Sequence, residues 1–524
     1  MSDIVESKEI PAVVDKAAAE ARGLRWGVYV LLIALSVGTM MGRIFAVDAV
    51  DRTAVQEFRI RQEMKRRTAD LKQKGLEGEE LTEAVAELRP RVRMRYLAQR
   101  PFLSANDRSR WCTVRALVED DMRVEGAPYS IDKVTILPRW DTIDMVKHDG
   151  HLYSSKPPLF PTLVAGEYWL IQRLTGATLA THPYAIGRFM LVTVNVIPLI
   201  IAMLLLASLV ERFGTTNWGR FFVMAAAAFG TFLTTFSIVL NNHLPGAISA
   251  IIAVYAVTRI WFDDERRLRY FIIAGVFATF AVANELPALA LLAAIGVGLI
   301  WKAPRQTLYA FVPGVLLVVV AFFATNWIAH NSLAPPYMHR SGEGEENWYD
   351  YTYEKNGRTI ESYWRNPHGL DRGEKSSAVY ALHSLVGHHG IFSLTPIWLL
   401  SIAGTLVWLL QPGDGQRGNP RLRQLALLIG SVSAVCLIFY VFIESNGRNY
   451  GGMTCGFRWV FWFTPLWLLV MLPAVDWMAR RRWTQAVALV LLVISTISAA
   501  YPSWNVWVHP WLLNYLHYLG WIHV

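Results

Sequence analysis

Apolar residues in this chain recur in runs of nearly twenty, separated by polar stretches. A helical run of roughly 20 residues crosses a bilayer core of about 30 Å. Inside such a core only a helix or a closed barrel satisfies its own backbone polar groups. The pattern predicts an all-α polytopic membrane protein. Runs fall at 26–47, 186–210, 219–239, 244–262, 270–284, 286–301, 307–329, 390–410, 424–443, 457–475 and 484–500, giving about 11 transmembrane helices. Only 17% of the 524 residues are charged, against roughly 25% in a soluble domain. The formal net charge of +9 therefore belongs to short loops that set orientation, and no nucleic-acid partner is expected.

Basic residues alternate along the loops. Arg212 and Arg220, Arg266 to Arg269, Lys302 and Arg305, Arg417 to Arg423, and Arg480 to Arg482 fall in every second connection. Positive loops stay inside. This predicts a cytoplasmic tail 1–25, a first helix 26–47 that stays as an uncleaved anchor, and an outer loop 48–185. A first bundle segment 186–329, a second outer loop 330–388, a second bundle segment 389–500 and an outer tail 501–524 follow. The expected location is the inner or plasma membrane, with the active site outside. The break at Asn284-Glu285 keeps the alternation intact, because a single span over 270–301 would invert every later loop.

In the first outer loop, 52–98 reads as a charge-laced helical hairpin, and Phe160–Leu174 as an interfacial helix too short to span. In the second, aromatic and polar residues alternate over 348–353. Asn356-Gly357 then favours a tight β-hairpin. The tail holds Trp504, Trp507, Trp511 and Trp521, an interfacial anchor. Cys112, Cys436 and Cys455 form no CxxC or metal-type cluster.

Two motifs on the first outer loop carry the chemistry. One is Asn106-Asp107-Arg108-Ser109-Arg110-Trp111. The other is Gly150-His151-Leu152-Tyr153-Ser154-Ser155-Lys156-Pro157-Pro158-Leu159. An acidic residue and a lysine at a membrane surface suit a lipid-linked substrate: one moves a proton, the other holds a phosphate. Taken alone, Asp107 reads as a helix cap, and Lys156-Pro157-Pro158 as a turn into the next helix. Glu285 lies at a broken span, where a carboxylate is costly and usually functional; pairing for structure is its other reading. His388-His389 suggests a metal or phosphate, but adjacent histidines on a helix point apart.

The two motifs resemble those of the GT-C superfamily of polyprenyl-phosphate-sugar-dependent glycosyltransferases. The closest patterns are the aminoarabinose lipid A transferases and the bacterial relatives of protein O-mannosyltransferases. Asp107 to Trp111 stands where that family reads Asp-Glu-x-Arg-Tyr. Residues 150–159 match its Gly-x-x-Tyr-x-x-Lys-Pro-Pro-Leu segment. Arg188 matches a family arginine, and Asn449-Tyr450-Gly451-Gly452 through Gly456-Phe457-Arg458-Trp459 resembles a Tyr-Gly-Gly-x-x-x-Gly-Pro-Arg-Tyr segment. Arg108 replaces the usual Glu, and Phe457 the usual Pro. A family acidic residue near a later outer helix end is missing, its place held by Asn241-Asn242-His243.

The resemblance implies transfer of a sugar from a polyprenyl-phosphate donor to a lipid, glycan or protein acceptor, with inversion at the anomeric carbon. Asp107 is the expected base, with Glu285 as second carboxylate. Arg110, Tyr153, Lys156, Arg188, His243 and Arg458 are the expected substrate contacts. No cofactor is required; a divalent metal remains open, although no Asp-x-Asp motif marks a site for one. Two other readings stay available, a polytopic transporter and a non-catalytic envelope-biogenesis protein on the same fold.

Overall fold

The computed structural model describes residues 9–46, 52–96, 102–137, 139–340, 344–355, 357–410 and 419–522. Val47, Asn356 and Arg417, used above, lie outside these residues. The architecture is largely helical, with two small antiparallel hairpins. Among the described residues, 8 helices are long and apolar enough to cross a membrane. They are α1 (Glu9–Phe45, apolar from Ala17), α6 (Pro183–Phe213), α7 (Asn217–Ile238), α8 (His243–Phe262), α11 (Pro304–His330), α14 (Pro420–Val441), α15 (Arg458–Met478) and α16 (Arg482–Ala500). Three shorter apolar helices, α9 (Leu268–Asn284), α10 (Leu286–Lys302) and α13 (Trp398–Leu410), coincide with the remaining runs.

One of these differs from its expected bounds. The run at 390–410 becomes a short helical turn, Ile391–Leu394, and then α13. Pro396 lacks the N–H that a continuous helix needs and pushes Thr395 out of the helical region; Thr395 has φ −130° and ψ 68°.

Small residues let the helices touch. A Cβ on Gly275 of α9 would stand 2.3 Å from the Phe311 carbonyl of α11, and one on Gly404 of α13 would stand 2.0 Å from that of Val470 on α15. In lipid, where water drives little of the association, close backbone approach of this kind supplies packing.

Charges gather at one end of the bundle. Arg25 pairs with Glu211 at 2.5 Å, Lys302 with Asp264 at 2.6 Å, and Arg421 with Asp264 at 2.9 Å, while Arg212 pairs with Asp263. These residues come from α1 and from four of the basic connections, so those connections share one end.

The other end carries the loop elements. Helices α2 (Arg52–Gln73) and α3 (Gly78–Tyr96) form the helical hairpin. Helix α4 (Ala105–Val118) buries almost its whole length, and α5 (Leu159–Thr175) packs on it through Val164, Ala165 and Tyr168. The outer side of α5 exposes Leu163, Trp169, Leu170 and Leu174, an apolar face that suits an interfacial helix. Between α4 and α5 lies a hairpin absent from the sequence reading: β1 (Met145–His148) pairs antiparallel with β2 (His151–Ser154). Asp149 and Gly150 form its turn with φ 49° and 82°, the positive pair that a type I′ turn demands. The second hairpin pairs β3 (Thr352–Lys355) with β4 (Arg358–Glu361). Helix α12 (Ser377–Leu385) follows, and α17 (Trp511–Tyr518) ends the described chain. Cys112, Cys436 and Cys455 are all buried and free.

Candidate functional site

The β1–β2 hairpin builds the first half of the site. Its register sets Met145 opposite Ser154, so Asp144 and Ser155 meet just beyond the ladder, where the Ser155 N–H donates to the Asp144 carbonyl at 3.2 Å. The chain then turns at Lys156-Pro157-Pro158 into α5. Lys156 Nζ lies 2.9 Å from Asp144 Oδ1, and the Ser155 hydroxyl donates to that same oxygen at 2.9 Å. From α4, the Ser109 hydroxyl donates to the Asp144 carbonyl at 2.6 Å, which locks the hairpin to the helix. Sequence patterning passed over Asp144. The signal was Asp149-Gly150, whose turn fixes the register and with it the partner of Lys156.

The second half joins four elements. Arg110 of α4 donates to the Asn106 carbonyl and side chain at 2.8 and 2.7 Å, and to Asn242 Oδ1 at 2.5 Å. Asn242, just before α8, donates to Glu285 Oε1 at 2.7 Å. His243 Nδ1 lies 2.5 Å from the same oxygen, and its Nε2 lies 3.2 Å from Arg458 Nη1. A guanidinium only donates, so His243 Nε2 must accept and Nδ1 must carry the proton given to Glu285. The result is an unbroken chain of Arg110, Asn242, Glu285, His243 and Arg458. Gly246 makes room for it, since a Cβ there would stand 3.0 Å from Glu285 Cγ.

Arg458 is held from behind. Its Nε donates to the Gly451 carbonyl at 2.7 Å, and its guanidinium lies 5.0 Å from the centre of the Trp507 ring. Trp507 is only 5% exposed, so this member of the tail packs inside the protein instead of anchoring in the interface. Tyr450, Gly451 and Gly452 all have positive φ, at 58°, 90° and 74°. Tyr450 is a non-glycine residue held in the left-handed region, which requires surrounding structure to maintain it; the Asn449 side chain supplies part of this by accepting from the Gly451 N–H at 3.1 Å.

Three cations and two carboxylates thus share one buried region. Burial, then Asp144 in opposition and Arg110 and Arg458 in support, brings the Lys156 ammonium down to about 8. Burial raises the Asp144 carboxyl, but Lys156, Ser155 and Arg458 outweigh it and hold the group below its ordinary range. Arg110 is brought to about 10, chiefly by burial. Cations brought together in a buried region favour an anion beside them.

Other expected site residues stand elsewhere or are otherwise engaged. Asp107 is fully buried one helical turn from Arg110, where it accepts the Leu103 N–H at 2.8 Å and the Ser104 N–H at 2.6 Å. With Ser104 as N-cap it completes a capping box at the start of α4. Both oxygens are taken by backbone amides, so its geometry is that of a cap. Burial nonetheless pushes its carboxyl up to about 6. Tyr153 turns away into an aromatic cluster, stacked on His148 at 4.3 Å and against His330 at 5.1 Å. Arg188 lies over the rings of Phe45 and Tyr184, at 5.9 and 5.7 Å. Among the described residues, no group of three or more His, Cys, Asp or Glu is placed to hold a metal ion. Asp144 and Glu285 are instead occupied by lysine, hydroxyl, amide and imidazole partners, so the donor set does not fit a divalent metal.

Two substitutions separate these roles. Asp107→Asn keeps one acceptor oxygen and turns an N–H toward the second amide, so it should lower stability by about 1–2 kcal/mol, read as a drop in Tm. Any loss of function should follow that drop. Gln at Glu285 keeps an oxygen for Asn242 and His243, whereas Ala breaks the chain. Glu285→Gln should therefore stay within about tenfold of the parent in anion binding and turnover, while Glu285→Ala falls well below it. A loss near the 10²–10⁴-fold of a missing acid or base for the Gln variant would instead make Glu285 the proton carrier.

No protein-family model matches the chain, and no curated protein does. Among solved structures, the oligosaccharyltransferase of Archaeoglobus fulgidus is similar. Its apo form shares 11% identity at a TM-score of 0.40, over 80% of this chain and 54% of that one. Its complex with Zn and sulfate shares 14% at 0.38, over 80% and 55%. The archaeal oligosaccharyltransferase AglB from the same organism, in complex with an inhibitory peptide and a dolichol-phosphate, shares 13% at 0.38, over 77% and 55%. The chain spans about half the length of those structures.

Proposed function

We propose that this protein is an integral membrane glycosyltransferase that moves a sugar from a polyprenyl-phosphate donor to a lipid, glycan or protein acceptor. The observation that carries the reading is the convergence of Lys156, Arg110 and Arg458 on one buried region that also holds Asp144 and Glu285. Cations in a water-poor site stabilise the charge that builds on a leaving phosphate far better than they would in water. Apolar helices around such a site give a lipid tail somewhere to lie.

In this reading Lys156, Arg110 and Arg458 hold the donor phosphate. The acceptor hydroxyl attacks the anomeric carbon, the bond from that carbon to the phosphate oxygen breaks, and the hydroxyl proton passes to a carboxylate. With Asp107 committed to its cap, we assign the proton to Asp144. Its described side-chain bonds fall on Oδ1, leaving Oδ2 to face the acceptor. Donor binding also prepares this base. Once phosphate draws on the Lys156 charge, Asp144 loses part of the field that holds it acidic and becomes a better proton acceptor. Glu285 positions the two guanidiniums through Asn242 and His243.

The end of the bundle with the basic connections is taken as cytoplasmic by the charge rule, which sets the site outside. Cells lacking the protein should accumulate one lipid-linked sugar, measurable by extraction and mass spectrometry. Purified protein should consume that lipid and release polyprenyl phosphate. An unchanged lipid-linked sugar pool, with no transfer by the purified protein from any polyprenyl-phosphate sugar supplied, would refute the reading.

A further inference from the structure

A second polar cluster packs around Tyr450, the residue before the Gly451 whose carbonyl holds Arg458. His383 stacks on His388 at 4.1 Å, His388 Nδ1 lies 2.6 Å from His389 Nδ1, and His389 stacks on Tyr450 at 5.0 Å. Tyr380 lies 4.9 Å from Tyr450 on another side. Helix α12, the 386–390 loop and the 449–452 turn therefore meet here, and His509 adds its field from the tail. His389 and Tyr380 are fully buried and Ser384 nearly so.

Buried polar atoms without partners concentrate in this cluster. His383 Nδ1, His389 Nε2 and His509 Nδ1 have no hydrogen-bond partner among the described residues. The Tyr380 and Ser384 hydroxyls approach each other without reaching hydrogen-bond geometry. Native proteins leave few such atoms, and each asks for an explanation. Several around one turn point to a ligand that both donates and accepts.

The chemistry narrows that ligand. A metal needs lone pairs that converge on one point, with two ligand nitrogens each about 2.0–2.1 Å from it. Here His388 and His389 share a hydrogen bond, and the planes of His383 and His388 lie 18° from parallel, so their lone pairs do not converge. An anion needs positive charge. Burial, then His383 and His509, holds the His388 imidazole down to about 3, so it is neutral at physiological pH. Neutral imidazoles, phenols and a serine hydroxyl each both donate and accept, as sugar hydroxyls do.

We infer that Tyr380, His383, Ser384, His389 and His509 form a carbohydrate subsite that takes the sugar ring next to the phosphate held by Arg458. Tyr450 and Gly451 are consecutive, and Arg458 binds the carbonyl of the second, so one turn serves both halves of a sugar phosphate. The inference rests on the proposed function, whose donor it describes.

Tyr380→Phe and Ser384→Ala test it, because each removes only an unpartnered hydroxyl. Neither should lower Tm. Binding to the full-length purified protein is compared for polyprenyl phosphate and for polyprenyl-phosphate glucose, mannose and aminoarabinose. Free monosaccharides are screened in parallel by thermal shift. The parent should prefer at least one sugar-bearing lipid to the bare one by about tenfold or more, the worth of one or two well-made buried hydrogen bonds. Each variant should lose that preference while binding bare polyprenyl phosphate as the parent does. Failure of all lipids to bind would count against the proposed function, and the free sugars then decide the subsite. Variants that keep the preference, or sugars that act equally on parent and variants in both arms, would overturn the inference. So would zinc binding that depends on His389.

Discussion

Replacing Asp144 with Asn is expected to slow sugar transfer by about 10²–10⁴-fold, the usual worth of a positioned base. Asn keeps the size of the side chain and an oxygen for Lys156 and Ser155, so the geometry at 2.9 Å to each is largely retained. It removes the charge that competes with phosphate for Lys156. Binding of bare polyprenyl phosphate should then be unchanged or tighter, and the defect should lie in kcat. If Asp144 merely aims Lys156, donor binding weakens together with turnover. If the base is Asp107 after all, Asp144→Asn stays active and Asp107→Asn loses far more turnover than its fall in Tm explains.

Lys156→Met should cost about 10²–10³-fold in kcat/KM, the range measured when one preorganised charge-stabilising donor is removed. Here binding and turnover should fall together, because the ammonium holds the phosphate in the ground state and holds it more strongly as charge builds on it in the transition state. The pH dependence follows from the lowered lysine. Lys156 is charged below about 8 and neutral above it, and an anion favours the charged form. Affinity for polyprenyl phosphate should thus be flat at lower pH and decline as pH rises through about 8. The bound anion raises the lysine pKa, so binding near that pH takes up a proton, which calorimetry in buffers of different ionisation enthalpy would register. A flat profile across this range, or one kept by Lys156→Met, would remove Lys156 from the phosphate.

The sequence made the bundle legible because runs near twenty residues and alternating basic loops are strong, local signals. The interruption at Asn284-Glu285 showed for the same reason: a polar pair inside an apolar run is costly in lipid and stands out locally. Arg110, Lys156 and Arg458 could be named from motifs, His243 from the place of a missing family acid and Glu285 from the broken span, and the structure brings them into one region. Asp144 could not. It stands in a polar stretch with no motif of its own, and only the strand register places it against Lys156. Asp107 is ambiguous in sequence because a capping acid and a base look alike; Ser104, three residues before it, marked the capping box. Tyr153 was named from its motif, which says nothing of the way a strand residue faces. Consecutive residues of a strand face opposite ways, and Tyr153 points into the aromatic cluster while Ser154 reaches Ser109.

The Asp149-Gly150 turn acts as a gauge. It sits at the tip of the hairpin, touches none of the charged groups, and yet determines which residue of the incoming strand meets which of the outgoing one. Its chemistry is replaceable by any pair that accepts two positive φ angles, such as Asn-Gly. Its length is not. One added residue would shift the outgoing strand by one, turn its side chains to the opposite face, and present Asp144 with a different partner. Among chains built on this plan, drift at the tip should thus be limited to pairs that accept two positive φ angles and frozen in count, and a grafted turn of the same length should carry the site with it.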